Sequence, residues 1–189
     1  MRGRRLGRRR RSEQAFLLST MSEDQKPARK ILVLCTGNSA RSILGEYLLR
    51  HYGRGRFEAF SAGSKPTGRV NPLAVRVLRE NYDLDASAAR SKPWDEFREV
   101  KLDFVITVCG NASEACPLWL GGGVRAHWGS PDPAAVEGTE EEKHRAFVRV
   151  AEQIARRAEA FCALPEAKLR DAAAVRAVGE QFTLEGETR

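Results

Sequence analysis

A short apolar run that passes straight into a loop of small residues constrains this chain more than any other feature. Lys30–Leu34 (KILVL) is brief, apolar and rich in branched side chains, the pattern of a buried strand. Cys35-Thr36-Gly37-Asn38-Ser39-Ala40-Arg41-Ser42 follows at once. Beyond it, across Ser42–Tyr52, Ile43, Leu44, Tyr47 and Leu48 recur at helical spacing, and Gly53 stands where a C-cap is expected. The alternation then repeats. Phe57–Ser61 and Phe104–Val108 (FVITV) read as strands, and Arg125–Trp128 as a short fourth. Asn71-Pro72 resembles an N-cap followed by proline at the first helical position, with Leu73, Val77 and Leu78 as the apolar face. Thr139 and Glu142 form a capping box ahead of Phe147, Val150, Ile154, Ala158 and Phe161, a helix that runs until Pro165. The order β-α-β-α-β-β-α predicts an α/β sandwich with a mostly parallel sheet.

The folded body is expected over residues 29–164. Residues 1–28 read as a disordered basic tail, and residues 165–189 as a polar tail, mobile or loosely docked. The net charge of +7 is concentrated at the start. Residues 1–20 hold seven arginines and one acid, Glu13, so they carry +6 and leave the rest near neutral. An Arg-rich arm can bind nucleic acid by releasing counterions, or serve as a targeting peptide. Ala15–Leu18 is too short for a secretory core, and Met21 offers a second start. A disordered extension is therefore preferred and a nucleic-acid partner is not expected. Removing residues 1–20 separates the readings, since an enzyme would keep its activity. No apolar run approaches the roughly 18 residues that span a membrane, and four cysteines exclude a disulfide-stapled miniprotein. No membrane partner is expected, and a cytoplasmic location fits free thiols.

The loop after the first strand carries the chemistry. Small residues entering a helix N-terminus point several backbone N–H groups inward, and such a nest binds a tetrahedral oxyanion. The candidate oxyanion-binding residues are Thr36, Gly37, Asn38, Ser39, Ala40 and Arg41, the last as a planar bidentate clamp. Cys35 faces that anion. The helix dipole, the nest and the Arg41 charge all favour its thiolate, and Ser42 can donate a hydrogen bond to the sulfur. A cysteine at a strand end can also be simple core packing, but Cys-x5-Arg-Ser between strand and helix is far more specific.

These residues resemble the low-molecular-weight protein tyrosine phosphatase superfamily. Ser61-Ala62-Gly63 after the second strand, Val70-Asn71-Pro72 opening the second helix, and the late Asp132-Pro133 agree in order. The resemblance implies a three-layer sandwich on a four-stranded parallel sheet, with Asp132 as the general acid. It also leaves two chemistries open, since phosphate and arsenate are near-isosteric. Val108–Pro117, with Cys109 and Cys116 and Ala-Cys-Pro at its end, and a downstream His-Trp-Gly, resembles the thioredoxin-coupled arsenate reductases. That likeness implies arsenate as substrate. Catalytic Cys35, Arg41, Ser42, Cys109, Cys116 and Asp132 would work with a thioredoxin or glutaredoxin reductant, no cofactor and no metal. Cys35 would attack arsenate, Cys109 would release arsenite by attacking Cys35, and Cys116 would collect the disulfide from Cys109. A regular helix over 109–116 would part these cysteines by about 10 Å along its axis, whereas a disulfide needs Cα atoms roughly 4.4–6.8 Å apart. The segment must loop or unwind on oxidation, with Gly121-Gly122-Gly123 giving slack. The alternatives are a phosphatase with Cys109 and Cys116 as redox guards, and a zinc site with His127, whose Cys-x6-Cys spacing is unusual. Cys162 reads as structural, as does His127, and His51 and His144 as helix-surface residues.

Two departures matter. Some relatives hold a monovalent cation through a cluster to which Asn38, Glu46 and Ser61 would correspond; its completing acid is replaced near Ser91-Lys92. The Lys92 ammonium is expected to stand in for the cation. The phosphatases carry tyrosines beside the Asp-Pro pair; here Ala134-Ala135-Val136 stands instead, which disfavours phosphotyrosine. A monomer is expected.

Overall fold

Lys30–Leu34 lies inside strand β1 (Arg29–Cys35) in the computed structural model, which describes residues 27–109 and 122–184. There follow α1 (Arg41–Gly53), β2 (Phe57–Gly63), α2 (Pro72–Tyr82), β3 (Phe104–Cys109), β4 (Val124–Ser130), α3 (Glu140–Cys162), α4 (Glu166–Leu169) and α5 (Ala172–Gly179). Short 3-10 turns occupy Trp94–Phe97 and Pro133–Ala135. The four strands run in the order β2-β1-β3-β4 and every pair is parallel. This is the predicted α/β architecture.

Alternate residues of β1 serve two cores, which is why its sequence is apolar from Ile31 onward. Ile31 and Val33 join a large cluster with Ile43, Leu48, Ile154 and Phe161, supplied by α1 and α3. Leu32 and Leu34 face a smaller one with Phe97, Leu102 and Val105. Among the described residues this second face is covered by the first 3-10 turn rather than by a regular helix. Register levels the carboxyl ends of the strands. Cys35 stands opposite Gly63, Leu34 opposite Thr107, and Cys109 opposite Ser130. Cys35, Cys109 and Ser130 are thereby delivered to one edge.

Local signals were accurate where they rested on side-chain caps. The Asn71 side chain accepts from Leu73 N–H, and Thr139 and Glu142 close a reciprocal capping box. Gly53, by contrast, is the last residue of α1. The left-handed position falls on Arg54, with φ 46°. The strands extend to Gly63, Cys109 and Ser130, beyond the ends read from sequence.

The segment after Pro165 differs from the expected loose tail. It forms α4 and α5, with Leu169, Val175 and Val178 buried in the large core. Arg29 at the start of β1 pairs with Glu166. The end of α5 approaches β4 so closely that a Cβ on Gly179 would lie 1.9 Å from the His127 carbonyl oxygen. The basic arm, Cys116 and the proposed rearrangement of residues 110–121 lie outside the described residues.

Candidate active site

The loop between β1 and α1 is held from outside by its carbonyls. Those of Cys35, Thr36, Gly37 and Ser39 accept from the N–H groups of Ser64, Lys65, Thr67 and Asn71, at 2.9–3.2 Å. Ser91 Oγ also donates to the Gly37 carbonyl, at 3.1 Å. Carbonyls turned outward leave the amide edges turned inward, the arrangement an oxyanion nest requires. Gly63 permits this, because a Cβ there would sit 2.6 Å from the Thr36 oxygen. Ala40 occupies the N-cap of α1 and supplies no side-chain cap, so it does not compete for the leading N–H groups.

Asn38 is the internal strut. It is fully buried and adopts the left-handed conformation, φ 43°. Its backbone N–H donates to Cys35 Sγ at 3.1 Å. Its side-chain Nδ2 donates to Ser42 Oγ and Ser61 Oγ, both at 2.9 Å, and its Oδ1 accepts from Lys92 N–H at 2.8 Å. Ser42 Oγ in turn lies 2.9 Å from Cys35 Sγ. Behind Asn38, Lys92 Nζ donates to Glu46 Oε2 at 3.3 Å, Ser61 Oγ at 3.4 Å and the Arg90 carbonyl at 3.4 Å. The Lys92 ammonium therefore sits among the Glu46 and Ser61 oxygens proposed from sequence.

Cys109 arrives from β3 and reaches into the loop. Its Sγ accepts from Thr36 N–H at 3.1 Å and lies 3.7 Å from Thr36 Oγ1, one residue along from Cys35. The Cys109 hydrogen bond is the largest influence on Cys35. Aided by Ser42 and the Asn38 N–H, it overcomes burial and lowers the Cys35 pKa to about 6. Cys109 is displaced upward, first because it gives its hydrogen bond to Cys35, then through burial and the Cys35 charge. The Cys35 thiolate is therefore favoured over the Cys109 thiolate.

Arg41, the first residue of α1, bridges to the β4 edge. Its Nη1 donates to the Ser130 carbonyl at 3.0 Å, and its Nη2 pairs with Asp132 Oδ2 at 3.0 Å. The Asp132 side chain is 43% exposed. Its other oxygen caps the second 3-10 turn by accepting from Ala134 N–H at 3.2 Å. Asp132 is thus both a turn aspartate and a carboxylate aimed at the loop's arginine.

The structure therefore brings Cys35, Thr36–Ser42, Cys109 and Asp132 together at one edge. Cys162 is remote from them, buried at the end of α3, with its thiol pushed up to about 12 by burial. His127 bonds Thr107 Oγ1 through Nδ1 at 2.8 Å. No group of three His, Cys, Asp or Glu side chains able to hold a metal occurs among the described residues. Sequence reasoning missed Arg157, whose guanidinium lies behind residues 129–130. It missed also the outward ties of the loop, since backbone partners carry no residue signature.

The family described as low molecular weight phosphotyrosine protein phosphatase matches residues 30–174. The chain belongs to that family. Within this phosphatase family, similar curated proteins are arsenate reductases. The one from Halalkalibacterium halodurans is 40% identical over 131 residues, 69% of this chain and 93% of the relative. That from Bacillus subtilis is 39% identical with the same coverage. Among solved structures, the arsenate reductase from Archaeoglobus fulgidus superposes with a TM-score of 0.58 at 27% identity, over 71% of this chain and 99% of the other. An arsenate reductase in its oxidised state gives 0.60 at 26%, over 75% and 98%.

Proposed function

We propose that this chain reduces arsenate to arsenite, with Cys35 as nucleophile and Cys109 and Cys116 as a thiol relay. The observation that carries the reading is the second thiol, Cys109, bonded to the Thr36 N–H inside the anion-binding loop beside Cys35. Hydrolysis of a phosphoester has no use for it, whereas reduction of As(V) to As(III) needs two electrons from a thiol pair.

The steps balance as follows. The Cys35 thiolate attacks arsenic and an oxygen leaves as water, with Asp132 delivering a proton and Arg41 holding the remaining oxygens. Consumption of the Cys35 charge removes two of the influences that raise the Cys109 thiol, its hydrogen bond to Cys35 and the Cys35 charge, and the Cys109 proton passes to an oxygen of the departing arsenite. Cys109 attacks Cys35 sulfur. The As–S electron pair passes to arsenic, arsenite departs, and a Cys35–Cys109 disulfide remains. Cys116 then attacks Cys109, restoring the Cys35 thiolate. A dithiol protein of the thioredoxin or glutaredoxin class reduces the last disulfide, in the cytoplasm.

The test is arsenate-dependent NADPH oxidation with thioredoxin and thioredoxin reductase, and in parallel with glutathione and a glutaredoxin. Turnover by the wild type that is lost in both Cys109→Ser and Cys116→Ser is expected. An aryl phosphatase indifferent to both substitutions, with no arsenate turnover, would overturn the relay.

A further inference from the structure

Arg157 on α3 is 1% exposed, and it is not a residue of the anion loop. Its Nη1 donates to the Gly129 carbonyl at 2.6 Å and to Ser130 Oγ at 3.3 Å. Its Nε donates to the Gln181 carbonyl at 2.9 Å. The Ser130 hydroxyl bonds onward to the Trp128 carbonyl. On the other side of the same residue, the Ser130 carbonyl accepts from Arg41, and Arg41 pairs with Asp132. Residues 129 and 130 are therefore gripped between two arginines: Arg157 from behind, and Arg41 from the anion loop. β3 and β4 shift register between Thr107 and Cys109, so the ladder is irregular just where Ser130 meets Cys109. A guanidinium fork is a rigid means of fixing such a turn, because its N–H groups diverge in one plane.

We propose that Arg157 is a positioning residue for the acid step, acting through the Gly129–Ser130 turn on Asp132 and Arg41. The C-terminal segment belongs to the same device. α5 rests on β4, and the Gln181 carbonyl just past it holds the Arg157 Nε in place. A carboxylic acid displaced by even about 1 Å from its leaving oxygen transfers its proton poorly. The inference rests on the reading of Asp132 as the acid.

The experiment is a double-mutant cycle on the full chain, with Arg157→Met, Asp132→Asn and the pair, and with Arg157→Lys as the conservative variant. Arsenate turnover should fall about tenfold in Arg157→Met, partly return in Arg157→Lys, and show under twofold further loss when Arg157→Met is added to Asp132→Asn. Equal losses in both backgrounds would make Arg157 merely structural and overturn the proposal. A second readout needs no turnover. The Arg41 guanidinium nitrogen resonances, identified with Arg41→Lys, should show restricted rotation in the wild type and free rotation in Arg157→Met. Unchanged Arg41 resonances would also overturn it. Absence of wild-type arsenate turnover with the Arg41 change present would sink the arsenate reading and leave the positioning role standing.

Discussion

A buried thiolate is costly, and Cys35 offsets that cost with donors from three directions: Cys109, Ser42 and the Asn38 backbone. The Cys35 thiolate is populated above about pH 6 and is lost as pH falls through that value. Alkylation of Cys35 by iodoacetamide should follow this titration, slow below pH 5 and levelling off above pH 7. Cys109→Ala removes the largest lowering influence and leaves desolvation opposed by Ser42 and the Asn38 N–H alone, so the Cys35 titration should move up by about 1–2 pH units. Cys109→Ser keeps a hydroxyl donor and should lie between the two. An identical profile for all three would mean that Cys109 does not act on Cys35. At this scale the sequence was most legible for Cys35, Arg41, Ser42 and Asp132, because their chemistry is written in side chains at fixed spacing. Arg157 was not legible. An arginine on a helix whose other face is apolar reads as solvated, and its partners here are mostly backbone carbonyls.

Glu46 ties α1 to β2 and to the segment after α2. Its Oε2 accepts from Ser61 and Lys92, and its Oε1 pairs with Arg50 at 2.6 Å. The Lys92–Glu46 pair is buried on both sides; without Lys92, Glu46 keeps Arg50 and Ser61, so the loss is that of one charged hydrogen bond to a buried oxygen, about 1–3 kcal/mol. Lys92→Ala should lower unfolding free energy by that order, measured in urea, and potassium should recover part of it by entering the vacated oxygens. Wild-type activity and melting temperature should be insensitive to potassium against sodium. A potassium-dependent wild type would show that the ammonium does not fill the place. Elements were readable where a cap or apolar period was local, as at Asn71-Pro72 and Thr139–Glu142. They were not readable at Ala172–Gly179, a short alanine-rich stretch whose Val175 and Val178 acquire an apolar face only once β4 is beneath them.

Across the whole molecule, the family's sheet is closed on its β4 side by α5, and one position limits how well it fits. Gly179→Ala places a methyl group against the His127 carbonyl, so α5 must lift or β4 must bend. The expected result is a loss of about 2–4 kcal/mol in stability, with hydrogen exchange rising first in α5 and the end of β4 while α1 and β1 stay protected. Uniform acceleration across the sheet would show that α5 is not a separable unit. The parallel topology followed from the sequence because only alternating strands and helices suit a strand buried on both faces. The extent of the folded body did not, since chain beyond Pro165 gains its burial from β4, far away in sequence.

The outward ties of the anion loop make it a mould already set before any guest arrives. Four of its carbonyls are spoken for by the backbone N–H groups of residues 64–71, none of them by a group that must come with the anion. The ordering of that loop is settled when the chain folds, and an incoming oxyanion meets it much as a crystal face meets its next ion. Capture should thus proceed as a single bimolecular event, at a rate that climbs in proportion to anion concentration and reaches no plateau set by rearrangement of the loop.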